Sequence, residues 1–287
     1  MKSPKTVDVD ILVANYKNAP FLETFFESVL NSTVLPKQLV VVNDGSPDNS
    51  EEIIRSYAER YAFIKPVYLE KNVGYANALN AGIEYLTSTY TLRIDPDDYM
   101  YPDRIEKQYE YISESGYDVV GSNIQYFDSK SNKDLFKSNV TCDQKGIIKV
   151  FKSGACGIIH GSSIIRTQML KKYGYVQANV PAEDYDLFSK IITGGGRVMN
   201  VPETLTAVRV HLNSVSNALP FSTIRKTFDL TEKIWGIHHN RVYVRIKHLH
   251  LKYYRRFLFE SNPLKKYGSL IISCLMSPGK VVKRLFR

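Results

Sequence analysis

Gln38-Leu39-Val40-Val41-Val42-Asn43-Asp44-Gly45-Ser46 is the stretch on which the fold turns. A short, mostly apolar run bounded by turn residues reads as a buried strand. Residues 47–61 follow as a helix, with Ser46 as N-cap and Pro47 at the first helical position. Upstream, residues 7–14 read as a strand and residues 20–31 as an amphipathic helix. Downstream, residues 64–69 are strand-like, residues 73–86 helical and residues 90–94 a strand. This βαβαβαβ order predicts a mostly parallel sheet flanked by helices.

Ligands of such sheets bind beyond the carboxyl ends of the strands. Polar clusters stand there after three strands: Asn15-Tyr16-Lys17-Asn18, Asn43-Asp44-Gly45-Ser46 and Asp95-Pro96-Asp97-Asp98. Three polar loops on one rim make one candidate site. Farther on, residues 102–115 read as a helix, 118–127 as a strand, 128–139 as a polar loop and 158–166 as a strand before a short helix. Residues 185–193 are a helix stopped by Gly194-Gly195-Gly196, and residues 205–210 a last strand. From Leu219 onward the pattern is helical and basic.

A chain of 287 residues is one large domain or two modest ones. Its 44% hydrophobic content supports a sizeable core. Cys142, Cys156 and Cys274 are few and scattered, which argues against a disulfide framework or a structural zinc and for a reducing compartment such as the cytosol. Residues 1–14 show no export signal, and the charge-free stretch 267–279 is too short to span a bilayer. The net charge of +9 is uneven: residues 217–287 carry 15 Lys+Arg against 3 Asp+Glu, a net of +12, and the rest is at −3.

Carboxylates are hard ligands suited to Mg²⁺ or Mn²⁺, and such sites leave room for substrate phosphates. Asp95, Asp97 and Asp98 therefore read as a metal-and-phosphate site, although an isolated acidic turn of this kind is also explained by solvation alone. Asp44 can accept hydrogen bonds from a base or ribose, and Gly45 lets the chain turn closely. Glu183-Asp184 precedes a helix, at whose N-terminus acids suit the macrodipole, but a carboxylate pair in a cleft also supplies a general base. His211 reads as a metal ligand or a core imidazole.

Together these segments resemble glycosyltransferase family 2, the inverting enzymes of the GT-A fold. The resemblance runs from Ile11-Leu12-Val13-Ala14-Asn15-Tyr16 through Val40-Val41-Val42-Asn43-Asp44-Gly45-Ser46 to Asn72-Val73-Gly74 with Ala78-Leu79-Asn80-Ala81-Gly82. It continues with Arg93-Ile94-Asp95-Pro96-Asp97-Asp98, Ala182-Glu183-Asp184-Tyr185-Asp186-Leu187 and Val208-Arg209-Val210-His211 with Ser214 and Ser216. Six weak motifs in the right order make a specific match. It implies a GT-A type, Rossmann-like, mostly parallel central sheet with a basic C-terminal helical extension. The implied domains are a catalytic domain over 1–216, with a nucleotide half (1–100) and an acceptor half (101–216), and a basic helical region over 217–287.

The resemblance also implies roles. Asp44 would contact the nucleobase, with Ala14, Asn15, Tyr16, Asn72 and Asn80 also on the donor side. Asp97 would be the main metal carboxylate, Asp95 a supporting one, and His211 a further ligand of Mn²⁺ or Mg²⁺. Asp98 would touch sugar or ribose, Gly161 would border donor sugar and acceptor, and Asp184 would be the general base. Asn43 departs from the pattern, standing where the family often has a second acid. The implied reaction moves a sugar from a nucleotide-diphosphate donor, expected to be UDP-linked, to a hydroxyl of a glycan or lipid-linked glycan. Surface polysaccharide synthesis, of O-antigen, capsule or similar, is the implied setting.

Two other functions compete with this one. A nucleotidyltransferase would usually show a Gly-rich phosphate loop near the N-terminus, and residues 11–19 contain no glycine. A non-catalytic sugar- or nucleotide-binding module is disfavoured by intact Asp97, Asp184 and His211. In the basic tail, Val242, Ile246, Leu249, Tyr253 and Phe257 lie near one helical face, and an apolar stretch at 270–276 is flanked by lysines and arginines. Such segments either rest on an anionic membrane surface or pack on the catalytic domain with a solvated basic face. The expected location is cytoplasmic, with peripheral attachment at the cytosolic membrane face as the first of these readings. No nucleic-acid module is recognisable, so no nucleic-acid partner is expected.

Overall fold

The valine run is a central strand. In the computed structural model, which describes residues 5–210, 220–260 and 262–278, β1 (Thr6–Asn15) and β2 (Leu35–Asp44) pair in parallel, with Asn15 opposite Asn43. β3 (Ile64–Leu69) lies parallel outside β2, and β4 (Tyr90–Arg93) parallel on the other side of β1. Helices α1 (Ala19–Leu30), α2 (Ser50–Arg60) and α3 (Tyr75–Ile83) connect them. The order β3-β2-β1-β4 reverses between β1 and β4, which is where open sheets of this kind leave a crevice. In α1, Leu22, Phe25, Phe26 and Val29 recur at helical spacing and are fully buried. Each such side chain contributes roughly 1.5–3 kcal/mol of hydrophobic stabilisation before conformational entropy opposes it.

The second half extends this sheet. Its elements are β5 (Tyr99–Met100), α4 (Arg104–Ser115), β6 (Val119–Asp128), β7 (Asp134–Lys137), α5 (Gln144–Lys152), β8 (Ile164–Arg166), α6 (Thr167–Tyr173), α7 (Glu183–Thr193) and β9 (Val198–Val210). The sheet continues β4-β8-β6-β9-β5, with β7 paired to β6. β8 runs antiparallel to both neighbours, while β6 and β9 pair in parallel. The result is the helix-flanked, mostly parallel sheet expected from sequence.

Several boundaries differ for identifiable reasons. Ser46 is not an N-cap: its Oγ accepts from the Lys17 backbone N–H at 2.7 Å, tying the loop after β1 to the loop after β2. The helix starts at Ser50, where Asp48 accepts from the Ser50 N–H and also from the Ala19 N–H at the start of α1. Likewise α3 begins at Tyr75 rather than residue 73, because the Val73 and Gly74 N–H groups donate to Asp44 and Gly74 has φ +93°. The polar stretch 128–139 contains a strand, β7, that forms a hairpin with β6. Only Ile164–Arg166 of the expected strand over 158–166 is extended, since His160–Ser162 forms a 3-10 turn. Helix α5, capped by the Asp143 carboxylate on the Gly146 N–H, was not anticipated.

The chain divides into two compact units, Met1–His211 and Leu212–Arg287. The described part of the second is helical: α8 (Phe221–Trp235), α9 (Arg241–Phe259) and α10 (Pro263–Met276). Ile224, Phe228 and Val244 form a small core of their own. Among the described residues, no helix is long and apolar enough to cross a membrane.

Candidate active site

Arg93 is the last residue of β4 and is wholly buried. A buried guanidinium must find acceptors on every side. One amine donates to the Leu12 and Ile94 carbonyls. The other donates to the Tyr75 hydroxyl at 2.9 Å and to Asp95 Oδ1 at 3.1 Å. Nε reaches His160 Nε2 at 3.4 Å, and that nitrogen is 2.7 Å from the Tyr175 hydroxyl. Burial, and then the Arg93 charge, hold His160 well below the usual imidazole range, so it stays neutral.

The acidic turn begins two residues later. Asp95 Oδ1 also accepts from the Tyr75 hydroxyl at 2.7 Å, so one oxygen is fixed. The other faces Gly161: a Cβ there would stand 3.5 Å from Asp95 Oδ2 and 3.8 Å from Asp98 Oδ2. A Cβ there would be in ordinary contact with both carboxylate oxygens, so the glycine leaves the space beside them open. Asp98 is 5% exposed and accepts from the Arg209 N–H at 2.8 Å, while the Arg209 Nε–H donates to the Asp97 carbonyl at 2.9 Å. Burial, followed by the Asp97 and Asp95 charges, raises Asp98 well above the usual carboxylate range.

Crowded acids of this kind suit a hard divalent cation that completes its shell with phosphate oxygens and water. Among the described residues, no group of three or more His, Cys, Asp or Glu side chains is arranged to hold a metal ion by itself. Of the ligands expected from sequence, Asp95 and Asp97 belong to this turn. His211, the other expected ligand, lies outside the described residues.

On the adjoining rim, Asp44 is 2% exposed. It accepts from Asn72 Nδ2 at 2.9 Å, the Val73 N–H at 2.7 Å and the Gly74 N–H at 3.1 Å, and so shapes the loop that crosses beside β2. Gly45, at φ +57°, admits that loop: a Cβ would lie 2.6 Å from the Lys71 carbonyl carbon. Ala14 and Asn15 end β1 in the interior, and Asn15 Nδ2 donates to Asn43 Oδ1 at 2.9 Å, so the two amides pair across the ends of β1 and β2. Asn15 Oδ1 is buried without a hydrogen-bond partner. Tyr16 is 39% exposed at the rim, under the Lys17 ammonium. Both amide atoms of Asn80, expected on the donor side, are committed to the Tyr175 backbone at 2.8 Å.

The opposite wall is the first turn of α7. Burial, and then the Asp184 charge, push Glu183 up to about 8, with Asp95 adding to the effect. Its Oε2 is buried with no hydrogen-bond partner. Asp184 is also raised by burial, although the Tyr185 N–H at 2.6 Å and the Cys156 thiol both donate to it. The Asp95 charge acts on both acids, and α7 packs on the network behind Asp95 through Phe188, whose ring stands 6.0 Å from that of His160.

Comparison with known proteins agrees with this geometry. The model of glycosyl transferase family 2 matches residues 10–174. The chain belongs to glycosyl transferase family 2. The transferase is 31% identical to the amylovoran biosynthesis glycosyltransferase AmsE of Erwinia amylovora over 228 residues, 77% of this chain and 82% of that one. It is 30% identical to an uncharacterized glycosyltransferase of Haemophilus influenzae, over 70% of this chain and 74% of the relative. In fold it is similar to S. aureus TarS 1-349 in complex with UDP-GlcNAc (TM-score 0.62, 17% identity, covering 96% of this chain and 83% of that one). It is similar also to the mannosyltransferase PcManGT of Pyrobaculum calidifontis in complex with GDP-Man and Mn²⁺ (TM-score 0.60, 15% identity, 96% and 78%). The fold is thus GT-A and the enzyme a glycosyltransferase, not a nucleotidyltransferase or a non-catalytic module.

Sequence reading found the acids of the transferase but not what holds them. Arg93, a charge in an apolar strand, was the one local signal. Tyr75 and Tyr175 lie about a hundred residues apart and had none. Gln177 is a similar case: its Oε1 accepts from the Ala76 and Asn77 N–H groups and caps α3 from a distant loop.

The raised Glu183 has a consequence for stability. Its folded pKa, about 8, exceeds the ordinary carboxylate value of 4.5. Between those values the folded state binds more protons than the unfolded one. The group's contribution to stability is therefore complete below about 4.5 and is lost as pH rises toward about 8. Glu183→Gln, which stays neutral, should raise the melting temperature at about pH 9 and change it little at about pH 4. An equal change at both values in thermal melts would show that ionisation of Glu183 is not what destabilises the fold.

Proposed function

We propose that the transferase moves a sugar, with inversion, from a UDP-linked donor to a hydroxyl of a glycan or lipid-linked glycan in the cytoplasm. The setting proposed is synthesis of a surface polysaccharide of the O-antigen or capsule kind. One observation carries the reading: the Asp95–Asp98 turn follows β4 beside the reversal of strand order, and the helix that starts with Glu183-Asp184 packs on the network behind it, within reach of the Asp95 charge. AmsE is named for polysaccharide biosynthesis, TarS was solved with UDP-GlcNAc, and PcManGT with a nucleotide sugar and Mn²⁺. These names support the substrate class.

In this reading the loops after β1 and β2 hold the nucleotide, with Tyr16 against it, Asn15 at the crevice floor, and Asp44 and Asn72 at the base. Asp97 is the principal ligand of Mn²⁺ or Mg²⁺, Asp95 supports it, and His211 is a further ligand. The cation, when bound, offsets charge developing on the leaving diphosphate. Tyr75 and Arg93 hold Asp95 in place for this. Asp98 braces the turn against β9, and Gly161 leaves the sugar room beside the two carboxylates. Asp184 takes the proton from the acceptor hydroxyl as the hydroxyl oxygen attacks the anomeric carbon.

The test is a thermal-shift screen of nucleotide sugars with and without Mn²⁺ or Mg²⁺. A ligand at about a hundred times its Kd stabilises by about 2.7 kcal/mol, which for a chain of this size is roughly 5–10 °C. UDP-sugars with metal should give that shift. Stabilisation by none of them, or equal stabilisation without metal, would overturn the reading.

A further inference from the structure

Helix α10 is built inside out, and α9 in part. In α10, the residues turned inward are Ser269 and Ser273, and Ser273 Oγ is 2.9 Å from His250 Nδ1 of α9. The residues turned outward are Leu264 (87% exposed), Tyr267 (59%), Ile271 (61%) and Leu275 (75%). Their spacing of three or four places them on one face, opposite the serines. In α9 the inversion is partial: Val244 is buried in the small core, but Lys247 and His250 are buried beside it, while Val242 (67%), Ile246 (39%) and Leu249 (36%) are exposed at helical spacing. A helix that meets only water does the reverse. The two stripes adjoin where the Phe257 and Tyr267 rings stand 6.3 Å apart, so they form one apolar patch.

Cations border this patch. Arg241, Arg245, Lys252 and Arg256 are exposed on α9 along the flank of its apolar stripe, and Lys265 is exposed on α10. Neither helix contains an acidic residue. Contiguous exposed apolar surface of this kind marks an interaction site. The charge selects the occupant. Two copies of the chain meeting face to face would bring like rows of arginine together, whereas an anionic surface neutralises them. Neither helix qualifies as a membrane span, and α10, at 14 residues, is about 21 Å long. Those dimensions suit a helix lying in the plane of a bilayer interface.

We propose that the α9–α10 hairpin is a lipid-docking surface: Leu264, Tyr267, Ile271, Leu275, Val242, Ile246 and Leu249 enter the interface of an anionic bilayer while the bordering arginines and lysines meet its headgroups. The sequence pattern alone had pointed to residues 242–257 and 270–276. The exposed face instead reaches back to Leu264 and is defined by which side the serines occupy. Acyl-chain burial supplies adhesion, and the cations supply selectivity for negative lipid and sensitivity to salt.

The full chain is mixed with vesicles of phosphatidylcholine, with or without phosphatidylserine, and sedimented. The unsubstituted chain should pellet with the anionic vesicles and be released by salt. The triple variant Leu264→Glu, Ile271→Glu, Leu275→Glu should lose binding by about tenfold or more. Its three positions are exposed, so its melting temperature should stay unchanged, and that melt separates loss of docking from loss of folding. The assay needs neither donor nor acceptor, so its outcome is independent of the proposed reaction. Failure of the unsubstituted chain to bind anionic vesicles would overturn the proposal. So would equal binding by the variant, or a self-association in solution that the substitutions abolish, which would make a second copy the occupant.

Discussion

Asp184→Asn lowers sugar transfer by about 10²–10⁴-fold, the range expected for loss of a general base, and leaves donor affinity within about twofold. The asymmetry follows from position. Asp184 stands on the first turn of α7, and the groups that donate to it, the Tyr185 N–H and the Cys156 thiol, lie outside the loops after β1 and β2 that are proposed to hold the nucleotide. An amide keeps the acceptor for the Tyr185 N–H, and with it the local geometry of the helix start. What it cannot do is take a proton from an attacking hydroxyl. Burial raises the Asp184 carboxyl, which makes it a better base than a solvated aspartate and brings its titration nearer neutral pH. Transfer by the unsubstituted enzyme should therefore rise with pH through the titration of the Glu183–Asp184 pair and then level. Single-turnover rates and donor titrations on the same preparation separate the two effects. Full transfer by the variant would assign the base elsewhere, with Glu183 the nearest alternative.

Asp97→Ala removes metal-dependent donor binding, weakening donor affinity in Mn²⁺ by at least about 100-fold and removing the metal-specific part of the thermal shift. The fold should survive. The contact of Asp97 with β9 runs through its backbone carbonyl, which accepts from Arg209 Nε–H and is retained in alanine. Asp98 is the contrasting case: its carboxylate receives the Arg209 backbone N–H at 2.8 Å, so its removal strips a buried donor of its partner. Donor titration calorimetry of Asp97→Ala with and without Mn²⁺ checks the assignment. Unchanged metal-dependent binding would move the principal ligand to Asp95.

Much of this was legible in the chain itself. The order of elements along the chain up to β4 follows from short apolar runs separated by amphipathic stretches, and periodicity is a local property. The acids of the site were legible for a related reason: each sits where a strand or a loop gives way to polar residues, and such transitions mark the rim of a parallel sheet. Reading failed where the competing contact came from afar. Ser46 resembles an N-cap, yet Lys17 takes its hydroxyl. Asn80 resembles a donor contact, yet the backbone of Tyr175 occupies its amide.

The sequence by itself determined the α/β alternation, the rim positions of Asp44, Asp95, Asp97 and Asp98, the acidic start of α7 and the concentration of positive charge after residue 217. Only the tertiary structure decided that Arg93, Tyr75, His160 and Tyr175 form the buried network behind Asp95, that Glu183 and Asp184 share its field, and that α10 turns Ser269 and Ser273 inward and Leu264, Ile271 and Leu275 out. The physical reason is common to all three. A residue's type and its neighbours in sequence set what it can do, but burial and hydrogen-bond partners set its charge and orientation, and those partners arrive from elements tens of residues away.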